Sequence, residues 1–441
     1  MATAWMIGTF LLLAAAGVPV CAAMGMAAFL GLALIDAPLD TFVRYMEHDV
    51  RSVPLLAIPF FILAGNVMNV FGLTRRIFEF IESLVGWMRA GLAQVTVLSS
   101  VMFGGISGSA LADIAGIGTM QIAAMRRAGY RAEFAAALTL AASLLDPLIP
   151  PSIMFIIYAV MMNVSVGDLF IAGIVPGLVM AAILAGNNYI LARAGWEYFP
   201  PPKPFVLRTA WRTFWIGLPA LATPIVILRS MITGLTTPTE ASVLAVVYAL
   251  ALAVLYREIS FKGLREAFVA SARTTTLIMF LTGVGSVMSF VITSDQVAEH
   301  LARQLGGLTE SKWAVLALVT LALLILGCFM ETVPAMLIGI PLFGPLVVKF
   351  GIDPIHFGVV LTYVLLLGIV HPPVGLGLFA VCAISRLRIE AVTWATLKSY
   401  PAFILVLLLL MFIPQLSTWL PSVVFTKETS GSVPASAPPG R

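Results

Sequence analysis

Charge is what this chain has least of. Only 10% of its 441 residues are Asp, Glu, Lys or Arg, against about a quarter in soluble domains. A surface facing water on all sides cannot be covered from so small a store, and a soluble globular protein is excluded. The 25 basic residues exceed the 21 acidic ones by four. They lie scattered in loops with no basic stripe or aromatic ladder, which excludes nucleic-acid binding. Cysteine is scarce too. Cys21, Cys328 and Cys382 are odd in number and sit in apolar segments, so they form neither a disulfide frame nor a zinc site. No G-x-x-x-x-G-K-[ST] occurs, so ATP does not drive this chain directly. No Lys or Arg precedes the first apolar run, which extends over about 30 residues. It is expected to be one retained helix and not a signal peptide.

What is present is apolar. Hydrophobic residues make up 60% of the chain and the mean hydropathy is +1.04. The reading is an all-α polytopic membrane protein set in a lipid bilayer. With about 20 apolar residues per crossing, spans are expected near 5–34, 54–71, 132–162, 166–192, 213–229, 237–256, 274–294, 354–385 and 399–421. Stretches 91–126 and 312–349 are too long for one straight span and carry Gly, Ser or Pro inside. They read as re-entrant helical hairpins, because irregular backbone at membrane depth must be buried in protein or line a wet cavity. Spans 132–162 and 354–385 are broken by Asp146-Pro147 with Pro150-Pro151 and by His371-Pro372-Pro373, since proline removes a donor and clashes with the preceding turn. Residues 422–441, rich in Ser, Pro and Gly, are expected to be disordered.

An internal repeat accounts for the pattern. Gly105 and Gly327, Gly129 and Gly351, and Pro150-Pro151 and Pro372-Pro373 are each 222 residues apart, and Val18-Pro19 aligns with Thr237-Pro238. The chain divides into a first repeat over 1–192, a linking loop and connecting helix over 193–236, and a second repeat over 237–421. The single connecting span inverts the second repeat. With the N-terminus cytoplasmic and the C-terminus outside, 17 of the 25 Lys and Arg fall in cytoplasmic segments, as the positive-inside rule requires.

Inverted repeats with paired discontinuous helices mark secondary transporters, with substrate and ion sites near the midplane. Half-helix N-termini offer free N–H groups to an anion, and unwound carbonyls ligate a cation. The candidate substrate residues are Asp146, Pro150, Pro151, Ser152, His371, Pro372 and Pro373. The candidate ion residues are Gly105, Ser107 and Ser109 at the first tip, Gly327 and Met330 at the second, and Asp146, Gly368, His371 and Gly375 at the breaks. A carboxylate at mid-membrane depth costs about 2.5–3.5 kcal/mol, so Asp146 is the sharpest signal, as an ion ligand, a proton carrier or a substrate contact. Its bland alternative is a helix cap. His371 is equally a substrate donor, a proton partner of Asp146, or an imidazole bonded to a carbonyl at the break. Glu331 is a ligand or a cap at the second tip, and Asp113 and Glu240 are expected to be interhelical structural partners.

The runs MFGGISGSALAD (102–113), AGYRAEFAAALTLAAS (128–143), IPPSI (149–153), LFIAGIVPG (169–177), TPTEA (237–241), GIDPIHFG (351–358) and PPVG (372–375) resemble the large membrane subunit of tripartite ATP-independent periplasmic (TRAP) transporters. The match covers nearly the whole chain. The resemblance implies Na⁺-coupled uptake of an organic acid in the bacterial inner membrane, with H⁺ as the other candidate ion. It implies a periplasmic substrate-binding protein and a small four-helix membrane subunit as partners, and an elevator motion. Two positions depart from the family pattern. Asp146 stands where Gly is usual, as at Gly368 in the other repeat, and His371 stands where Thr is usual. Two readings compete. One is a stand-alone cation/proton exchanger of similar repeat architecture. The other is an intramembrane serine protease, with Ser107 of Gly105-Ile106-Ser107-Gly108 as nucleophile and His371 as base.

Overall fold

Long apolar runs punctuated by Gly, Pro and Ser fold as helices that satisfy their own backbone groups. In the computed structural model, residues 1–429 are described except 203, 310, 373 and 374, and except the side chains of 49, 106, 107, 305–308 and 425–429. Among the described residues there is no strand, and eight helices are long and apolar enough to cross a membrane. The chain is an all-helical, multi-pass membrane protein.

The first segment departs from expectation. Residues 5–34 are not one span but two short helices, α1 (Ala2–Ala15) and α2 (Val20–Leu34), joined at Gly17, whose φ is +84, and Pro19. A Cβ built on Gly31 of α2 would lie 2.8 Å from Met6 Sδ of α1 and 3.1 Å from Val291 Cγ1. The amide of Thr3 donates to Asp295 Oδ2 at 3.0 Å. Residues 3 and 31 therefore meet the same end of one later helix, and the segment turns back on itself. An N-terminus and a residue 35 on opposite sides of the membrane, as read from a single span, do not fit this hairpin.

An amphipathic helix, α3 (Asp40–Val50), leads into α4 (Ala57–Val70) and the amphipathic α5 (Leu73–Val85). The first predicted hairpin follows as α6 (Gly91–Ser107), the short α7 (Ala110–Ala115) and α8 (Ile117–Arg127). The first broken helix is α9 (Ala132–Ser143) and α10 (Ile153–Met162), followed by α11 (Val166–Ala194). Then come α12 (Leu207–Ile232), α13 (Pro238–Leu255), α14 (Phe261–Ser294) and α15 (Val297–Leu308). The second hairpin is α16 (Lys312–Phe329) with α17 (Thr332–Lys349), and the second broken helix is α18 (Pro354–Val370) with α19 (Leu376–Ser385). The chain ends in α20 (Ile389–Thr396), α21 (Tyr400–Phe412) and α22 (Gln415–Thr429). The expected span 399–421 is interrupted at Pro414, and helix continues to Thr429 where disorder was expected from 422. The rest of that tail, 430–441, lies outside the described residues.

Polar residues at helix ends do local work. Thr237 and Glu240 form a capping box: Glu240 Oε2 accepts from the Thr237 amide at 2.7 Å, and Thr237 Oγ1 accepts from the Glu240 amide at 3.3 Å. Glu240 is thus a cap and not the interhelical partner expected of it. Asp353 Oδ1 caps α18, accepting from the amides of Ile355 at 2.8 Å and His356 at 3.0 Å.

One long-range clamp ties α5 to the α13–α14 loop. Arg76 donates through both terminal nitrogens to Glu258, at 2.7 and 3.0 Å, and its guanidinium carbon lies 4.0 Å over the Tyr256 ring. A planar fork matched to a carboxylate and stacked on a ring is not replaceable by an ammonium. Arg76→Ala is expected to lower the unfolding free energy by about 1 kcal/mol, discounted for the partly exposed partner. Arg76→Lys should recover less than half of the loss in the same thermal unfolding measurement.

Candidate functional site

Each hairpin tip is seated on a helix break, and glycine makes the seat possible. At the first tip, Gly108 has φ +63, and a Cβ there would fall 2.8 Å from the Pro151 carbonyl oxygen and 3.0 Å from the Ile153 nitrogen. A Cβ on Gly105 would meet Pro224 of α12 at 2.8 Å and the Pro150 oxygen at 3.4 Å. At the second tip, the backbones of Gly327 and Gly368 touch, and the Gly375 amide donates to the Cys328 carbonyl at 3.3 Å. Gly375 opens α19 with φ +46, and a Cβ there would lie 2.9 Å from the His371 oxygen. Met330, buried, ends α16 beside these glycines. Gly327, Met330, Gly368 and Gly375 thus come together at one break, and Gly105, Ser109 and Asp146 gather about the other. Ser107 closes α6 with its side chain outside the described residues, as is all of Pro373.

The two tips also share a cavity. A space of about 100 Å³ is lined by Ser109 and Leu111 of the first tip, Pro147 and Met154 of the first break, and Glu331 and Thr332 of the second tip. A second space of about 60 Å³ adjoins it at Ser109, Ile153 and Thr274, and adds Asn66 and Asn69 of α4. A larger cavity of about 370 Å³, between α5 and the start of α12, contains none of the tip or break residues.

Several expected residues stand elsewhere than in the cavity wall. Pro150, Pro151 and Ser152 are buried behind it. Ser152 Oγ donates to the Pro147 carbonyl at 2.5 Å and accepts from the Phe155 amide at 3.4 Å, so it holds the break in shape and starts α10. Ser109 accepts from the Ala112 amide at 3.4 Å and starts α7, while also facing the cavity. His371 ends α18 half-buried, with Nδ1 3.1 Å from the Tyr400 hydroxyl, which also bonds the Val370 carbonyl. Pro372 follows it, half-buried. Asp146 is fully buried against Gly104 of α6: a Cβ on Gly104 would lie 3.2 Å from Asp146 Oδ1. Among the described residues neither carboxylate oxygen of Asp146 has a hydrogen-bond partner, so it is not the cap of the bland reading. His371 and Asp146 make no hydrogen bond with each other. Glu331 occupies the N-cap position of α17 without a side-chain cap bond, leaving its carboxylate for the cavity.

Asn66, Asn69 and Thr274 were not anticipated. Asn66 Nδ2 donates to Ser271 Oγ at 2.9 Å. The signal was there: two amides three residues apart in the apolar run FFILAGNVMNV share one helix face.

Hydroxyls, one free carboxylate and turns of backbone brought by two hairpin tips, with amides from α4 alongside, gather around one space, the arrangement of a helical membrane transporter. The chain belongs to the family described as "Tripartite ATP-independent periplasmic transporter, DctM component", which matches residues 7–416. It is 36% identical to the C4-dicarboxylate TRAP transporter large permease protein DctM of Pseudomonas aeruginosa, over 83% of this chain and 86% of that protein. It is 33% identical to the sialic acid TRAP transporter large permease protein SiaM of Vibrio cholerae, over 90% and 93%. The crystal structure of the Alcanivorax borkumensis YdaH transporter shares its fold, with a TM-score of 0.60 at 14% identity, covering 86% of this chain and 87% of that one. The chain is a transport protein and not an enzyme, which removes the Ser107/His371 protease reading.

Proposed function

We propose that this chain is the membrane-embedded large subunit of a sodium-coupled importer of a small organic acid. It lies in the bacterial inner membrane beside a small four-helix subunit, and a periplasmic protein delivers the substrate. The observation that carries the reading is a cavity bounded by both hairpin tips, each tip docked on a break. Carbonyls left free at a break suit a dehydrated cation, and the N-termini of α10 and α17 suit a carboxylate. Segments 1–192 and 237–421 are the inverted repeats, and hairpins and breaks move as one body against α4, α12, α13 and α14 in an elevator motion. Basic loops place the α5–α6 end in the cytoplasm. Asp295 is then outside, and so is residue 1, which lies beside it. Relatives of nearly equal identity are named for sialic acid and for C4-dicarboxylates, so the acid is left at its class.

The test needs no known substrate. The purified chain with its small subunit is unfolded thermally in NaCl and in choline chloride of equal strength. An ion that binds only the folded state stabilises it by RT ln(1 + [L]/Kd), about 2.7 kcal/mol at 100 Kd. A sodium-specific rise in Tm is expected; equal Tm values in the two salts would remove sodium as the coupling ion.

A further inference from the structure

The pair α1 and α2 lies apart from the tips and breaks, and its backbone is incompletely paired at membrane depth. Residues 2–35 contain no charged side chain, so the pair lies in hydrocarbon. Its open end sits at the Asp295 end of α14, where the Thr3 amide meets Asp295 and Gly31 approaches Val291. From there α2 packs along α14. The two arms hold 14 and 15 residues. At about 1.5 Å per residue each reaches about 21–23 Å, short of the roughly 30 Å hydrocarbon core. The turn at Gly17-Val18-Pro19 therefore ends inside the bilayer.

That turn is poorly satisfied. The amides of Ala16, Gly17 and Val18 donate back to the carbonyls of Leu12, Ala14 and Leu13, and the Ala23 amide donates to Pro19. Among the described residues, the carbonyls of Ala15, Ala16, Gly17 and Val18 accept nothing. The amides of Val20 and Ala22 find no acceptor, because Pro19 at the N-cap of α2 supplies no side-chain bond. Ala15, Ala16, Gly17, Pro19 and Ala22 are exposed. Unpaired backbone groups are strongly unfavourable in hydrocarbon, and irregular backbone persists there only against protein or a wet cavity. The cavities at the tips and the one beside α5 contain none of these residues. Protein must cover the turn.

The surface around it admits a close neighbour. Gly8 on α1 and Gly25 on α2 have open space where a Cβ would be. Ala4 and Gly8, four residues apart, share one exposed face of α1. Small residues of this kind let another helix approach backbone to backbone. Lipid tails offer the turn no hydrogen bond. A second copy would bring faces such as Leu321 and Ile325 of α16 or Ile404 and Leu408 of α21, which are exposed and carry no polar group. We propose that the small membrane subunit seats a helix on the α1–α2 hairpin, against Gly8 and Gly25, and that its polar side chains complete the hydrogen bonds of the turn. This rests on the reading of the chain as the large subunit of a two-subunit membrane assembly.

The test is co-purification of the full chain with an affinity-tagged small subunit after mild detergent extraction. Gly8→Leu and Gly25→Leu fill space that is open in this chain, so the Tm of the chain alone is expected to stay unchanged. Recovery with the tagged subunit should fall roughly tenfold in each, as overpacking of a close contact predicts. Gly186→Leu, equally open on α11, should keep wild-type recovery. p-Benzoylphenylalanine placed at Leu12 or Met26, which are 69% and 48% exposed, should on illumination give an adduct of the chain with the small subunit. Where a leucine variant does not fold, these adducts decide. Wild-type recovery in both folded glycine variants, or no adduct from an assembled complex, overturns this surface while leaving the two-subunit reading intact. An adduct of twice the chain's mass places a second copy there and overturns the proposal. A wild-type chain that does not co-purify with the subunit overturns both.

Discussion

Gly368→Val is expected to undock the second hairpin and to lower Tm more than any other single change named here. A Cβ at 368 would fall 2.3 Å from the Gly327 carbonyl carbon and 2.6 Å from its Cα. Those atoms are backbone, so no rotamer relieves the clash, and α16 must move away from α18. A Cβ on Gly327 would itself meet the Leu365 oxygen at 3.1 Å, so both helices depend on small residues at the crossing. Overpacking of a core commonly costs about 1–3 kcal/mol, and forced separation of two backbones belongs at the top of that range. Gly368→Ala should show a smaller version of the same loss. Gly186, on α11, has open space where its Cβ would be, so Gly186→Ala is the control and should not destabilise. Equal Tm values for Gly368→Ala and Gly186→Ala would show that the close crossing is not part of the native fold. Uptake in proteoliposomes should fall with Gly368→Val and persist in the control.

Asp146→Ala should stabilise the sodium-free protein and destabilise it relative to wild type in saturating sodium. A buried carboxylate near the bilayer centre costs about 2.5–3.5 kcal/mol, and Asp146 has no hydrogen bond that would offset it. Removing it in choline chloride relieves that cost. If Asp146 serves the proposed sodium coupling, wild type should regain it by binding the ion, about 2.7 kcal/mol at 100 Kd, and the alanine variant should not. The two thermal unfolding series should therefore cross as sodium rises. A variant less stable than wild type in both salts would mean that Asp146 serves the fold and not an ion. Ser152→Ala is a useful contrast, because Ser152 bonds the Pro147 carbonyl and starts α10, and its loss should lower Tm equally in both salts.

The apolar composition, with so few charges, left membrane helices as the one architecture able to satisfy this backbone, and the motifs carried the family. Proline and glycine act within a turn or two of their own position, so the interruptions near 144–152 and 371–375 and both hairpin segments could be read locally. The segment 5–34 could not. Thirty apolar residues serve one tilted span or a folded pair equally well, and the packing of Met6 on Gly31 and of Thr3 on Asp295 decides between them. Glu240 looked the same in sequence whether cap or partner. Its role followed from a bond three residues away that the Thr237-Pro238-Thr239-Glu240 spacing already allowed. Asn66, Asn69 and Thr274 became cavity residues only once α4 and α14 were laid beside the first tip.

By itself the sequence determined the solvent, the helices, their breaks and the kind of protein, because these depend on composition and on chemistry within a few neighbouring residues. Tertiary structure alone decided which tip meets which break, that Asp146 rests on Gly104 of α6 and makes no hydrogen bond with His371, and that both tips face one cavity. Those are meetings between residues tens to hundreds of positions apart. Side-chain shape and backbone approach select them, and no local pattern records either.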